Sequence, residues 1–240
     1  HASVDFDTKT VTSPVGIILE DMRKAVLIQS QKKLFYPVDP TSRIDACVGG
    51  TLSCNASGFI PGRKGATRDW VKAIDVIFPN GLSAHIKRGK HFSINGKFQL
   101  EYLNKIKLLQ IPKYVRPKIK NASGPFSSPD GKIDLIDLLI GSEGIFGLIS
   151  SCTLKLMEQP GEMIELFLRL PSEKDAIKLY LSISKFVNYN LSQLHAFEYF
   201  GYNCQNYMNH RDDLFSSIDE VGMYLKIPTK NNNEENTLEK

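Results

Sequence analysis

The sequence predicts an α+β protein in two parts, and three observations carry that expectation. Strand-like and helical stretches alternate through the first 160 residues, around a long segment crowded with glycine and proline. Gln159-Pro160-Gly161 then interrupts the chain. Beyond it the pattern becomes strand, helix, strand, helix, strand, the order of a ferredoxin-like α+β sandwich left unfinished at the C-terminus. Residues 1–160 are therefore read as one domain and residues 161–240 as the beginning of a second. A chain of 240 residues is long enough for both to bury a core.

The chain begins almost at once in a strand-like stretch, and Thr10 to Gly16 reads as a short strand with a stop. Ile18, Leu19, Met22, Ala25, Val26 and Gln29 keep helical spacing, which predicts a helix of about three turns. From Leu34 to Gly65, eight glycines and prolines stand among Ser, Thr and Asn, interleaved with Val48, Leu52, Phe59 and Ile60. That composition predicts an ordered, ligand-facing loop system rather than a disordered linker. Ala73–Phe78 and Ser83–Lys87 are strands joined at Pro79-Asn80-Gly81, where Asn-Gly is a strong hairpin signal. The basic segment that follows shows little periodicity. Asp134–Ile140 forms a short amphipathic helix ended by Gly141, and Leu148–Leu156 is rich in β-formers. In the second part, strands are expected at Met163–Leu170, Gln193–Glu198 and Val221–Ile227, with helices at Ser172–Val187 and Tyr199–Met208. Thr229–Lys240 reads as a polar tail.

Charge and composition exclude several classes. With 42% hydrophobic and 23% charged residues and a net charge of +4, the chain is not a disordered polyelectrolyte. No apolar run approaches the roughly 18 residues that cross a bilayer, and the N-terminus has neither region of a signal peptide. Cys47, Cys54, Cys152 and Cys204 form no CxxC pair and lack zinc-site spacing, so free and mostly buried thiols in the cytoplasm are expected. The five histidines are scattered, and no metal is expected. Between His85 and Lys120, ten Lys and Arg face one acid, Glu101; the window carries about +9 and the remainder about −5. A basic approach to an acidic ligand and a solvated basic face both fit. Nucleic acid is not expected, because aromatics for base stacking are not interleaved with the lysines.

Two motif clusters stand out. The first runs through Tyr36-Pro37-Val38-Asp39-Pro40-Thr41-Ser42, Ala46-Cys47-Val48-Gly49-Gly50, Asn55-Ala56-Ser57-Gly58 and Gly65-Ala66-Thr67-Arg68-Asp69-Trp70. The second is Ile140-Gly141-Ser142-Glu143-Gly144-Ile145-Phe146-Gly147-Leu148-Ile149. Each would bring backbone N–H groups and small hydroxyls close to a bulky ligand, since glycine permits both close approach and positive φ. Gly58 to Gly65 is not a Walker loop, the chain lacks a Rossmann GxGxxG turn, and it has no GxSxG elbow.

In this order the pieces resemble the FAD-binding domain of the vanillyl-alcohol-oxidase flavoproteins, which share the p-cresol-methylhydroxylase-type fold. Within them they are most similar to the branch of D-lactate and glycolate dehydrogenases and alkyl-dihydroxyacetone-phosphate synthases. The resemblance covers roughly Thr10 to Pro160, and the segment after Gly161 is similar to the start of the substrate, or cap, domain. It implies FAD as cofactor. Pro40, Thr41, Ser42, Gly49 and Gly50 would run along the flavin ring and ribityl chain. Asn55, Ser57 and Gly58 would line the cleft, with Gly65 and Arg68 in the following loop. Glu143, Gly144, Gly147, Leu148 and Ile149 would hold the adenine and ribose end through main-chain contacts.

The sequence departs from the family pattern in several places. The glycine-rich pyrophosphate loop would lie upstream of the first strand, where only nine residues precede Thr10. Ile145 stands where threonine is usual. Lys118 to Gly124 is similar to another family segment, with Pro125 in place of its tyrosine. The family's catalytic histidine and substrate arginine would fall beyond Lys240. The chain is accordingly expected to be a fragment, or else a degenerate member. The implied activity is oxidation of a 2-hydroxy acid or related alcohol by hydride transfer to flavin; the alternative is a non-catalytic domain acting as an interaction protein. The expected partners are a small acidic alcohol and, as an assembly, a homodimer. The catalytic residue is left open between His195 as the one candidate proton acceptor and His195 as a packed or surface side chain.

Overall fold

The structure is a computed structural model that describes residues 1–102, 105–111 and 130–229. The Lys118–Gly124 segment, Pro125 and the tail beyond Thr229 lie outside the described residues. The chain divides into two compact units, residues 1–58 with 63–159 and residues 59–62 with 160–240.

The first unit contains β1 (Ser3–Asp5), β2 (Thr10–Pro14), α1 (Leu19–Gln29), β3 (Leu34–Phe35), α2 (Val48–Ser53), β4 (Val71–Ile77), β5 (Ser83–Lys87), β6 (Lys97–Tyr102), β7 (Lys105–Gln110), α3 (Leu135–Leu139), β8 (Leu148–Lys155) and β9 (Met157–Glu158). Its main sheet is antiparallel, in the order β1-β2-β8-β4-β5, with β3-β9 and β6-β7 as separate pairs. Bulges between Val71 and Ala73 and between Asp75 and Val76 shift the register of β4 on β8. Ile74, Val76, Leu154 and Cys152 point into one core with Leu19, Met22 and Val26 of α1 and Leu52 of α2. Each such side chain contributes roughly 1.5–3 kcal/mol by leaving water. The spacing of Leu19, Met22 and Val26 is why α1 exists at all, because Ile18 offers its N-terminus no side-chain cap. Two of its first N–H groups donate instead to the loop before α2: Leu19 to the Ala46 carbonyl and Glu20 to the Arg43 carbonyl.

Residues 34–65 are not loop throughout, as the sequence suggested. Val48–Ser53 forms a helical turn and a half that includes Gly49 and Gly50. Burial of Val48, Thr51 and Leu52 outweighs the roughly 1 kcal/mol helix penalty of each glycine. The basic segment also holds a hairpin, β6-β7, whose Phe98 is buried with Ile111, Ile133 and Leu138. Lysines alternating with apolar residues hid its period of two.

The second unit holds β10 (Met163–Leu170), α4 (Glu173–Phe186), β11 (Ala196–Phe200), α5 (Arg211–Leu214) and β12 (Val221–Pro228). The sheet order is β10-β12-β11, antiparallel at both junctions. Thus β10 and β11, joined by α4, run parallel with β12 between them, a split β-α-β unit. Ser172 caps α4, its hydroxyl accepting from the Asp175 N–H, and Tyr180 stacks on Phe197 at 5.8 Å. Gly222 makes room for Phe167, whose ring would lie 2.5 Å from an added Cβ. The helix expected at Tyr199–Met208 does not form. β11 runs to Phe200 and only a 3-10 turn, Tyr202–Tyr207, follows. Tyr199 and Phe200 pair with Met223 and Gly222, and Tyr202–Tyr207 has no helical apolar stripe to compete with that.

Candidate functional site

The clusters singled out in the sequence meet on the first unit, around α2. At the start of this helix, Val48 N–H donates to Ile17 O at 2.9 Å and Gly49 N–H to Val15 O at 2.8 Å. An added Cβ on Gly49 would stand 2.8 Å from Val15 Cβ, so the approach of the helix to the turn after β2 requires glycine there. At the far end, Gly141 N–H donates to Leu52 O at 3.0 Å and Glu143 N–H to Ser53 O at 2.9 Å. The second cluster therefore supplies the C-terminal cap of the helix that carries the first. Asn55 follows in the left-handed region, at φ 48°.

The Pro40–Ser42 turn is fixed from α1. Arg23 donates to Tyr36 O at 2.8 Å and Val38 O at 3.0 Å, and Glu20 pairs with Arg43 at 3.1 Å. Burial pulls the Arg23 pKa down, with the charges of Asp39 and Glu20 opposing that fall. Arg43 N–H donates to Pro40 O, closing the turn, while Thr41 and Ser42 face outward, exposed. Asn55–Gly58 lies against this turn: a Cβ on Gly58 would sit 2.4 Å from the Asp39 nitrogen. Gly58 N–H donates to Gly65 O at 2.8 Å and Thr67 N–H to Ala56 O at 3.0 Å, so the Gly65–Arg68 strip pairs with the asparagine segment. Ser57, half-buried, bridges to Ala66 in the same strip. The Tyr36 ring is fully buried beneath, and burial drives its hydroxyl pKa well above the usual range.

Site glycines sort into two kinds. Gly49, Gly58 and Gly147 are glycine because the protein's own atoms fill the space; a Cβ on Gly147 would meet Val76 Cγ2 at 2.8 Å. Gly50 and Gly144 meet nothing within 4 Å, and both are exposed. Gly144 has φ +82°, beside Glu143 at 51°. Main chain laid bare at two glycines, one on α2 and one on the loop that caps α2, is what a flat ligand held by backbone contacts requires, so the residues present fit an extended cofactor. Glu143, Ile145 and Leu148 are exposed around Gly144, whereas Ile149 turns into the core.

Arg68 has a different place from the ligand contact expected of it. It is 3% exposed, and its guanidinium donates to Asp137 O and, at 2.6 Å, to Ile140 O. It thus serves the end of α3 rather than a surface. Arg88, counted in the basic window, also turns inward, to Val71 O at 2.7 Å, Arg68 O at 2.8 Å and Asp137 Oδ1 at 3.0 Å.

The expectation of mostly buried thiols is corrected. Only Cys152 is buried, its pKa pushed up to about 12 by desolvation, while Cys47, Cys54 and Cys204 are free and exposed. Cys47 and Cys54 flank α2, whose inward-facing residues are Val48, Thr51 and Leu52, so the core contacts of this short helix do not reach either thiol. Among the described residues no three His, Cys, Asp or Glu gather as a metal site, and no helix is long and apolar enough to cross a membrane. His195 lies in the second unit just before β11, half-buried, its backbone N–H donating to Lys226 O at 2.8 Å. Sequence reasoning missed two features. One is an apolar cavity of about 610 Å³ in the first unit, bounded by Phe78, Leu82, Phe98, Leu109, Leu135 and Phe146 among others. It depends on the unforeseen β6-β7 hairpin, and none of the expected cofactor residues lines it. The other is Asp75, on the outer face of the sheet, which accepts from the Ser151 hydroxyl and meets His85 Nδ1 at 2.6 Å. Those two hydrogen bonds hold its carboxyl below the usual range.

Comparison with known proteins agrees with this arrangement. The FAD binding domain family matches residues 1–87. D-lactate dehydrogenase of Anaerostipes hadrus is 28% identical over 162 residues, 68% of this chain and 26% of that protein. D-2-hydroxyglutarate dehydrogenase of Xanthomonas citri is 28% identical over 199 residues, 82% of this chain and 33% of its own length. Glycolate oxidase subunit GlcD of Bacillus subtilis is 27% identical over 157 residues, 65% of this chain and 25% of that subunit. The chain thus spans between a quarter and a third of the length of these relatives. Among solved structures, an alkyldihydroxyacetonephosphate synthase superposes with a TM-score of 0.59 at 15% identity, over 94% of this chain and 36% of that one, a likeness of fold. Motifs, fold and relatives agree in direction: residues 1–87 match the FAD binding domain family, and the chain is similar over most of its length to FAD-linked 2-hydroxy-acid dehydrogenases and oxidases of that kind.

Proposed function

We propose that this chain forms the cofactor-holding part of an enzyme that oxidises a 2-hydroxy acid or a related small acidic alcohol. When bound, FAD supplies a hydride acceptor. The protein's share is placement. Pro40, Thr41 and Ser42 present a turn braced by Arg23; Gly49 seats α2 against Val15 so that Gly50 presents its exposed side; and Asn55, Ser57, Gly58 and Gly65 shape the adjoining strip. Glu143, Gly144, Gly147, Leu148 and Ile149 present the loop that caps α2, and Arg68 secures that loop from below. The names of the relatives support the substrate class. Residues 161–240 are assigned to the beginning of a substrate domain, the protein to the cytoplasm and its assembly to a homodimer, with nucleic acid outside its partners.

The observation that carries the reading is the convergence of motifs some 90 residues apart on one hydrogen-bonded surface, with Gly50 and Gly144 bare at it. The test is titration of the purified chain into FAD, followed by anaerobic addition of D-lactate, D-2-hydroxyglutarate or glycolate. Saturable quenching of flavin fluorescence by this chain is the expected result, and unchanged fluorescence at saturating protein would refute the cofactor role. The substrate class is tested by the same additions to a longer protein that carries this chain: bleaching of the visible bands by one of the acids is expected, and bound flavin bleached by none of them would refute it.

A further inference from the structure

We propose that Arg68, held by Asn55 and Arg88, is a positioning residue for the Gly141–Ile149 loop, acting on FAD affinity through the carbonyls at the end of α3 without touching the cofactor. This rests on the reading that this loop meets FAD.

The connections form a closed relay. Asn55, fully buried, accepts the Arg68 backbone N–H on its Oδ1 at 2.9 Å. The Arg68 carbonyl accepts from Arg88 Nη2 at 2.8 Å, and Arg88 Nη1 reaches the Asp137 carboxylate at 3.0 Å. The Arg68 guanidinium then donates to Asp137 O and Ile140 O, carbonyls at the C-terminal end of a helix of only five residues. Such carbonyls lack intrahelical partners, and an interior cation is costly unless all its donors are used. At the other end of α3, Asp134 accepts from Ile136 N–H at 3.2 Å and Gly89 N–H at 2.6 Å. Ile140 is the last residue before Gly141, whose N–H caps α2. The Gly144 turn is therefore held on one side by α2 and on the other by Arg68.

A guanidinium fork suits this task and an ammonium does not. Two carbonyls three residues apart need two divergent N–H groups in a fixed plane, whereas lysine presents one compact charge on a flexible stem. The asparagine and arginine motifs thus owe their presence to a bond between them and to the loop 70 residues downstream, rather than to direct ligand contact.

The experiment measures FAD affinity by fluorescence quenching, and amide hydrogen exchange by mass spectrometry, on the wild-type chain and on Arg68→Lys. Arg68→Lys is expected to weaken FAD binding by about tenfold, the size of one charge-assisted hydrogen bond. Exchange is expected to quicken over residues 140–147 and stay unchanged in α1 and β2. Val26→Ala, a core truncation in α1 away from the relay, is expected to lower the melting temperature while leaving FAD affinity within about twofold. Should Arg68→Lys fail to fold, Arg88→Lys, nearer the surface, gives the same two readouts at smaller size. Wild-type affinity together with unchanged loop exchange in the folded variant overturns the proposal, as does equal weakening by Val26→Ala. A wild-type chain that binds no FAD overturns the functional reading instead, and the exchange measurement still decides the relay.

Discussion

Gly50 and Gly58 lie eight residues apart in one glycine-rich segment, and their replacement by alanine is expected to act in opposite directions. An added Cβ on Gly58 would stand 2.4 Å from the Asp39 nitrogen and 2.7 Å from its Oδ1. Ordinary contact needs about 1 Å more, and the Asp39 backbone cannot yield cheaply, because Arg23 bonds the carbonyls of Tyr36 and Val38 just before it. Overpacking of this kind costs about 1–3 kcal/mol. At about 2–4 °C per kcal/mol for a domain of this size, the melting temperature should fall by roughly 2–12 °C. Gly50 is the reverse case: nothing lies within 4 Å of its Cβ position, and it sits inside a helix. Alanine there should stabilise by about 0.5–1 kcal/mol, raising the melting temperature by about 1–4 °C. Its methyl would occupy the space the flavin is proposed to approach, so FAD affinity should drop about tenfold or more as stability rises. Thermal melts followed by circular dichroism and flavin titrations measure both. A Gly50→Ala protein that is more stable and binds FAD as well as wild type refutes the sorting of glycines on which the site rests; a Gly58→Ala protein with an unchanged melting temperature refutes the packing argument.

Gly144→Ala should cost about 1–2 kcal/mol, because φ +82° is strained for any residue with a Cβ, and a thermal melt will show whether it does. Ellman's reagent at pH 8 should titrate three thiols per native chain, Cys47, Cys54 and Cys204, and Cys152 only after unfolding; fast reaction of a fourth would contradict its burial and its pKa of about 12. The Asp75 carboxyl is lowered from 3.8 by its bonds to Ser151 and His85, so its support of the fold is complete above about pH 3.8 and is lost as pH falls through the lower, folded value. With the side chain 45% exposed the effect is small. Asp75→Asn should therefore leave neutral stability nearly unchanged and make stability less dependent on pH below about 4, as read from acid unfolding curves.

Much of this arrangement was legible because its causes are local. Leu19, Met22 and Val26 announce α1 by spacing, Asn80-Gly81 announces the β4-β5 turn, and the strand-helix-strand alternation after Gly161 announces β10, α4 and β11. The motif residues were legible too, but not the reasons for them. The sequence treats Gly49, Gly50 and Gly58 alike, and only the neighbours Val15 and Asp39 distinguish a glycine that makes room for protein from one that leaves room for a ligand. Arg68 shows the same limit more sharply. Standing after Gly65 in a loop beside the site, it invites the role of ligand contact. The carbonyls it serves belong to Asp137 and Ile140, residues 69 and 72 positions away, and no periodicity or composition links residues so distant. The β6-β7 hairpin and the failed helix at Tyr199–Met208 are the matching cases in secondary structure. Lysines masked an alternation that Phe98 anchors, and pairing of Tyr199 and Phe200 with β12 overrode whatever helical tendency the segment had. What local chemistry determines is written in the sequence directly; which of two identical residue types packs and which binds is decided by partners far along the chain.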